Sequence, residues 1–64
     1  MKESIREARI RCGLTQAELA ERLNVTQGLV SHWEQGITMP PTRQIPELAK
    51  VLKTTVAELF GEAG

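Results

Sequence analysis

The sequence predicts a small all-α fold, and two features of the chain carry that prediction. Serine or threonine is followed three residues later by glutamate at three places, which is the pattern of a capping box at a helix start. These pairs are Ser4 with Glu7, Thr15 with Glu18, and Thr55 with Glu58. After each start, apolar residues recur every three or four positions, as in a helix with one buried face. Together with two further helices, predicted below at about residues 27–35 and 42–52, these starts lead us to expect five helices and no strand, packed as one compact domain over residues 1–64.

The first helix is predicted from about residue 4 to residue 12. Ser4 caps its start, and Gly13 stops it because glycine readily adopts the left-handed conformation found at helix ends. Ile5 and Ala8 are expected to face the interior. Cys12 follows on the same stripe, as a small buried apolar side chain.

Two central helices are predicted at about residues 15–23 and 27–35. Thr15 caps the first of this pair and Asn24 is its expected turn residue, while Thr26 caps the second, which ends at Gly36. Two helices of about two turns each, joined by three or four residues, are typical of a helix-turn-helix, whose second helix enters a DNA groove. The apolar faces of the pair comprise Leu19, Ala20, Leu23, Val30 and Trp33.

The remaining chain is predicted as a loop and two more helices. Residues 37–41 are expected to be extended because two consecutive prolines follow Met39. A fourth helix is predicted at about 42–52, with a ragged start since Pro46 lies near its first turn. A short last helix follows Thr55 and ends at Gly61.

The composition excludes several classes of function. The 64 residues include one cysteine, one histidine and no aspartate, too few for a disulfide framework or a structural zinc site. They also lack a constellation for catalysis and a glycine-rich phosphate loop, so we predict no enzyme, cofactor or small-molecule ligand. No apolar run is long enough to span a membrane and no secretory signal is present. We expect a cytoplasmic protein, associated with the nucleoid through DNA and not with a membrane.

The pattern of residues along nearly the whole chain resembles the Cro and repressor-type (XRE-type) helix-turn-helix domains of lambdoid phages and many bacterial regulators. The resemblance implies a five-helix DNA-binding domain that acts as a dimer on a palindromic operator and regulates transcription, usually by repression. The residues that carry it are Ile5-Arg6, Arg9, Gly13-Leu14-Thr15-Gln16, Leu19-Ala20, Leu23, Val25, Gln27, Val30-Ser31, Trp33-Glu34, Gly36, Pro40, Leu48-Ala49, Leu52, Val56 and Glu58-Leu59-Phe60.

Four residues of the third helix are expected to contact DNA bases in such a domain. Gln27 is the main reader, because its amide can pair with adenine N6 and N7. Gly28 departs from the family, which usually has a polar side chain that contacts a base at this position. The glycine either removes that base contact or permits the helix backbone to approach the DNA groove more closely. Leu29 is expected to point outward towards a thymine methyl, and His32, one turn after Gly28, towards a base or phosphate. Ordinary solvent exposure is the alternative for each side chain.

Five further residues are expected to contact phosphates. The resemblance implies this role for Gln16, at the start of the second helix, where the helix N-terminus favours an anion. Thr15 is primarily a helix cap and is expected to assist in the phosphate contact. Ser31, Thr38 and Arg43 are the other candidates, and an ordinary solvent-exposed side chain without a DNA contact is the alternative for each of them. The resemblance also implies a partly buried ion pair between Arg9 and Glu34, and Trp33 is interpreted as a core residue.

The charge of the chain favours an alternative function. Eight basic and eight acidic residues sum to zero, whereas a DNA-binding domain usually shows a basic footprint. The alternative is a protein-interaction or antitoxin-type helix-turn-helix module with weak or no autonomous DNA binding. For DNA binding we expect double-stranded DNA and a second copy of the chain as partners. The dimer interface is expected around Met39, Val56 and Phe60 unless a separate dimerisation domain exists.

Overall fold

In the computed structural model, which describes residues 3–60, the chain is helical with connecting loops and no strand over that range. A short 3-10 turn, Thr42–Gln44, precedes the fourth α-helix. The prediction of an all-α fold with five helices is confirmed. The helices are α1 Ile5–Arg11, α2 Gln16–Leu23, α3 Gln27–Gln35, α4 Ile45–Val51 and α5 Val56–Phe60.

Side-chain caps begin α1, α2, α3 and α5 where the sequence predicts them, whereas α4 has no side-chain cap. Ser4 Oγ accepts from the backbone N–H of Glu7 at 3.0 Å, and a Glu7 carboxylate oxygen accepts from the N–H of Ser4 at 3.0 Å. Thr15 and Glu18 form the same reciprocal pair at 3.0 and 2.8 Å. These bonds satisfy backbone donors that have no partner within a helix, so they fix where α1 and α2 begin.

The turn between α2 and α3 has three residues, 24–26. Asn24 adopts the left-handed conformation with φ 59° and ψ 43°, which reverses the chain. Val25 packs against the core, and Thr26 Oγ1 accepts from the N–H of Leu29 at 3.2 Å to begin α3. The turn therefore fixes how α3 lies against α2, the helix with which it packs most extensively.

The start of α4 is irregular, as predicted from Pro46. Residues 42–44 form a 3-10 turn, and Pro46 occupies the first turn of α4, where its missing N–H leaves no bond unmade. α4 ends at Val51 with Leu52 as its cap, which agrees with the predicted end at about residue 52. Lys53, immediately after the helix cap, has φ 54°, a left-handed conformation that usually favours glycine or asparagine.

The core lies where α1, α2, α3, α4 and α5 meet. Its members are aliphatic except for one tryptophan, and Leu19, Leu48 and Leu52 are fully enclosed. Trp33 is 5% exposed, so its interpretation as a core residue is confirmed. The buried apolar residues within the described part of the chain are Ile5, Ala8, Leu19, Ala20, Leu23, Val30, Trp33, Leu48, Ala49, Leu52 and Leu59.

Two expectations about burial are wrong. Leu29 is half-buried against the core instead of pointing outward, because it lies one helical turn before Trp33 and shares its face. Cys12 is half-buried rather than buried, and its Sγ lies 3.2 Å from the backbone carbonyl of Leu52. The predicted end of the last helix, at Gly61, lies outside the described residues.

The beginning and the end of the described chain are tied together. The N–H of Glu3 donates to the carbonyl of Glu58 at 2.7 Å. The Arg11 guanidinium bonds both carboxylate oxygens of Glu3 and the carbonyl of Leu52. Hydrogen bonds from Arg11 lower the pKa of Glu3. None of the helices between residues 3 and 60 is long and apolar enough to cross a membrane.

Candidate nucleic-acid interface

One side of α3 is open to solvent while the opposite side is packed into the core. Val30 and Trp33 are buried, whereas Gln27, Gly28 and His32 are exposed. The open side begins at the first turn of the helix, directly after the tight turn from α2. This side therefore has the position and exposure that the second helix of a helix-turn-helix needs to enter a DNA groove.

Gly28 is not required by the fold. A Cβ at this position would have no group within 4 Å apart from its chain neighbours and the backbone of its own helix, and the Gly28 backbone is not in the left-handed region. The glycine thus leaves a bare stretch of helix backbone on the exposed side, with room for either a closely approaching base edge or a larger side chain.

The hydroxyl of Ser31 is engaged within α3. Ser31 Oγ accepts from Gln35 Nε2 at 2.7 Å, one helical turn further along. Gln27, Ser31 and Gln35 therefore form one row along the helix, spaced four residues apart. The sequence analysis does not predict a contact for Gln35, although its spacing of four residues from Ser31 places both side chains on the same side of the helix.

The start of α2 has a threonine that caps the helix and a glutamine that is hydrogen-bonded to α3. The Thr15 hydroxyl oxygen accepts from the N–H of Glu18, and the returning bond from the Thr15 N–H lowers the pKa of the Glu18 carboxyl. Gln16 is half-buried, and its Nε2 donates to Glu34 Oε1 at 3.1 Å. This bond joins the first residue of α2 to the last turn of α3, and sequence spacing gave no signal of it.

The ion pair implied by the resemblance is present beneath this surface. Arg9 Nε lies 2.6 Å from Glu34 Oε2, and a second guanidinium nitrogen donates to Glu34 Oε1 at 3.2 Å. The two side chains are 12% and 4% exposed. Arg9 also donates to the carbonyl of Leu14 at 2.8 Å, so the pair connects α1, the loop before α2, and α3.

The remaining phosphate candidates lie after α3 and are exposed. Thr38 belongs to the loop that follows α3, whose first residue, Ile37, donates its N–H to the carbonyl of His32 at 2.9 Å. Arg43 lies in the 3-10 turn. Among residues 3–60 the ion pairs are those of Arg9 with Glu34 and of Arg11 with Glu3, so Arg43 has none there.

An apolar depression lies beside the loop after α3. Its volume is about 230 Å³, and its walls include Trp33, Met39, Pro40 and Phe60. Met39 is 70% exposed, although a methionine side chain is largely apolar. This surface is separate from the open side of α3.

Comparison with known proteins identifies the architecture. A sequence profile described as helix-turn-helix matches residues 5–59 of the chain. The chain belongs to the XRE-type helix-turn-helix family. This family is one of DNA-binding transcription regulators and is not an enzyme family. Within residues 3–60, no group of three or more His, Cys, Asp or Glu side chains could hold a metal ion.

Two relatives of this XRE-type domain carry informative names. It is 46% identical over 48 residues to the 26 kDa repressor protein of Escherichia phage HK022, a match covering 75% of this chain and 20% of the phage protein. The chain thus spans about a fifth of that relative's length. It is 33% identical over 60 residues to an uncharacterised HTH-type transcriptional regulator of Archaeoglobus fulgidus, covering 94% of this chain and 86% of that protein. No solved structure matches the chain.

Proposed function

We propose that this domain binds double-stranded DNA in a sequence-specific manner, with α3 in the major groove, and represses transcription. The observation that carries the proposal is the open side of α3, which presents polar and uncovered groups immediately after a three-residue turn. Repression is supported by the name of the phage relative.

Base reading in this proposal is centred on the first turn of α3. Gln27 pairs through its amide with adenine, Gly28 brings the helix backbone close to a base edge, and His32 contacts a base one turn further along. Leu29 contributes at most the edge of its half-buried side chain to a thymine methyl.

Phosphate contacts in this proposal surround the reading helix. Thr15 and Gln16 lie at the N-terminus of α2, whose dipole favours an anion. Ser31 contributes from α3, and Thr38 and Arg43 from the chain that follows it. Neutral hydroxyl and amide donors dominate this proposed set, as expected for DNA binding by a chain of zero net charge.

A two-fold dimer on a palindromic operator completes the proposal. One recognition helix reads only a few base pairs, and a second copy doubles the contacts with half-sites about 34 Å apart. Exposed apolar side chains at Ile37, Met39 and Val56 offer a surface for that contact.

The test begins with selection of bound duplexes from a random pool, followed by affinity measurements on the selected sequence. We expect adenine opposite Gln27, and Gln27→Ala should reduce the preference for that base by ~1–3 kcal/mol. The matched control is Gln35→Ala, which removes an exposed glutamine amide from the far end of the same helix and should leave the selected base unchanged. An unaltered base preference in Gln27→Ala would remove Gln27 as a reader.

An antitoxin-type or other protein-interaction module is the second candidate, and two observations favour it. The chain has zero net charge, and the loop after α3 exposes the apolar Ile37 and Met39 where basic residues would strengthen phosphate binding. A protein-only module predicts no duplex association at either low or moderate salt. DNA binding predicts that the logarithm of the binding constant falls linearly with the logarithm of salt concentration.

A further inference from the structure

The Gln16 carboxamide is held by a buried carboxylate. Its Nε2 carries two protons, and one of them is donated to Glu34 Oε1 at 3.1 Å. The Glu34 side chain is only 4% exposed, and the Arg9 guanidinium bonds both of its oxygens. Glu34 therefore has a fixed place, and it fixes one end of Gln16.

We propose that Glu34 is a positioning residue for DNA binding, one that acts through Gln16 without touching the nucleic acid. Glu34 holds the Gln16 amide so that its second Nε2 proton is available to a phosphate oxygen. This inference rests on the proposed function and assigns a role to a carboxylate that the resemblance places only in an ion pair.

The chemistry of the amide explains why a carboxylate is suited to this role. A carboxylate accepts hydrogen bonds and cannot donate them, so only the NH₂ end of Gln16 can face Glu34. Without that acceptor the amide can turn over and present its carbonyl oxygen to the phosphate, where two acceptors repel. Glutamine also has many rotamers, so an amide already held in the free protein loses less freedom on binding.

Arg9 makes this arrangement compatible with DNA. An isolated carboxylate close to a phosphate would repel it, but the guanidinium compensates the charge of Glu34 at 2.6 Å. Arg9 is itself anchored by the carbonyl of Leu14 at 2.8 Å. Hydrogen bonds thus connect four residues, and Gln16 is the one at the first position of α2. This connected set comprises Arg9, Leu14, Gln16 and Glu34.

The experiment compares the effect of Gln16→Ala on affinity for the selected duplex in two backgrounds. The first is the unaltered chain, and the second is Arg9→Met with Glu34→Leu, which removes both charges and leaves neither of them unpaired. In the first background we expect a loss of about tenfold for each half-site, the size of one hydrogen bond to a charged group. In the second we expect a loss of less than about threefold, because a free amide contributes less.

The matched control is Thr38→Ala, a proposed phosphate contact that lies outside the connected set, and its effect should be equal in both backgrounds. An equal loss for Gln16→Ala in both backgrounds would overturn the inference and leave the proposed function intact. Failure of the unaltered chain to bind any duplex would overturn the proposed function itself, and the inference with it.

A second measurement requires no variant, in case the double substitution prevents folding. In the ¹⁵N-labelled unaltered chain, the two side-chain amide protons of Gln16 give separate signals. On addition of the selected duplex, we expect the proton chemical shift of one signal to change strongly while the shift of the proton bonded to Glu34 stays the same. The two protons share one nitrogen, so only their proton shifts are compared. If neither proton shift changes, or if both change equally, Glu34 does not position Gln16 for a phosphate.

Discussion

At Gly28 the fold does not require a glycine, whereas the proposed function uses the absence of a side chain. Nothing in the structure needs a glycine there, since the space around a Cβ is empty and the backbone is not left-handed. Glycine inside a helix lowers stability relative to alanine because it loses more backbone freedom on folding. Its presence in the first turn of α3 is therefore explained by approach to DNA better than by packing.

We predict that Gly28→Ala raises the free energy of unfolding by ~0.5–1 kcal/mol and weakens DNA binding. Urea denaturation measures the first effect, and titration of the selected duplex measures the second. A variant that is more stable and binds equally well would show that the bare backbone contributes nothing to recognition.

At the scale of helices, the starts were predictable and several other features were not. The capping boxes at Ser4 and Thr15 are local, so the sequence alone shows them. The bond from Gln16 to Glu34 joins residues 18 positions apart and exists only because α2 and α3 pack together. The left-handed Lys53 carries no local signal, since the residue types that favour this conformation are absent there.

For the open side of α3, the sequence predicts three exposed residues correctly and one incorrectly. Gln27, Gly28 and His32 are exposed as expected, because Val30 and Trp33 occupy the core side. Leu29 was assigned to the wrong side, although it lies four residues before Trp33. Helical spacing alone defines a stripe, and the width of that stripe depends on how closely the neighbouring helix packs.

The capping box of α2 should make stability depend on pH. The bonds from Thr15 hold the pKa of Glu18 below its ordinary value of 4.5. The stabilisation is therefore fully present above about pH 4.5 and is lost as the pH falls through the lowered pKa. Glu18→Gln keeps an acceptor in the box but does not titrate, so its free energy of unfolding should fall less between about pH 5 and pH 3. Equal slopes for both proteins would contradict this account.

At the scale of the whole molecule, the exposed apolar side chains of Ile37, Met39 and Val56 are proposed to pair two copies. We predict that Met39→Glu lowers the dimer fraction measured by sedimentation at several concentrations, because it places a charge in an apolar contact. The matched control is Ile10→Glu, which changes another exposed apolar residue, at 56% exposure, on α1. A strict monomer at the highest concentration of the unaltered chain would reject dimerisation without DNA.

The central claim is that the open side of α3 is the surface that contacts DNA. Titration of the ¹⁵N-labelled chain with its selected duplex tests this most directly, because every backbone amide reports its own surroundings. We predict that the largest shifts fall at Gln27, Gly28 and His32 on α3 and at Gln16 at the start of α2. Shifts confined to the α1 surface around Ile10, or no shifts at any duplex concentration, would contradict the account.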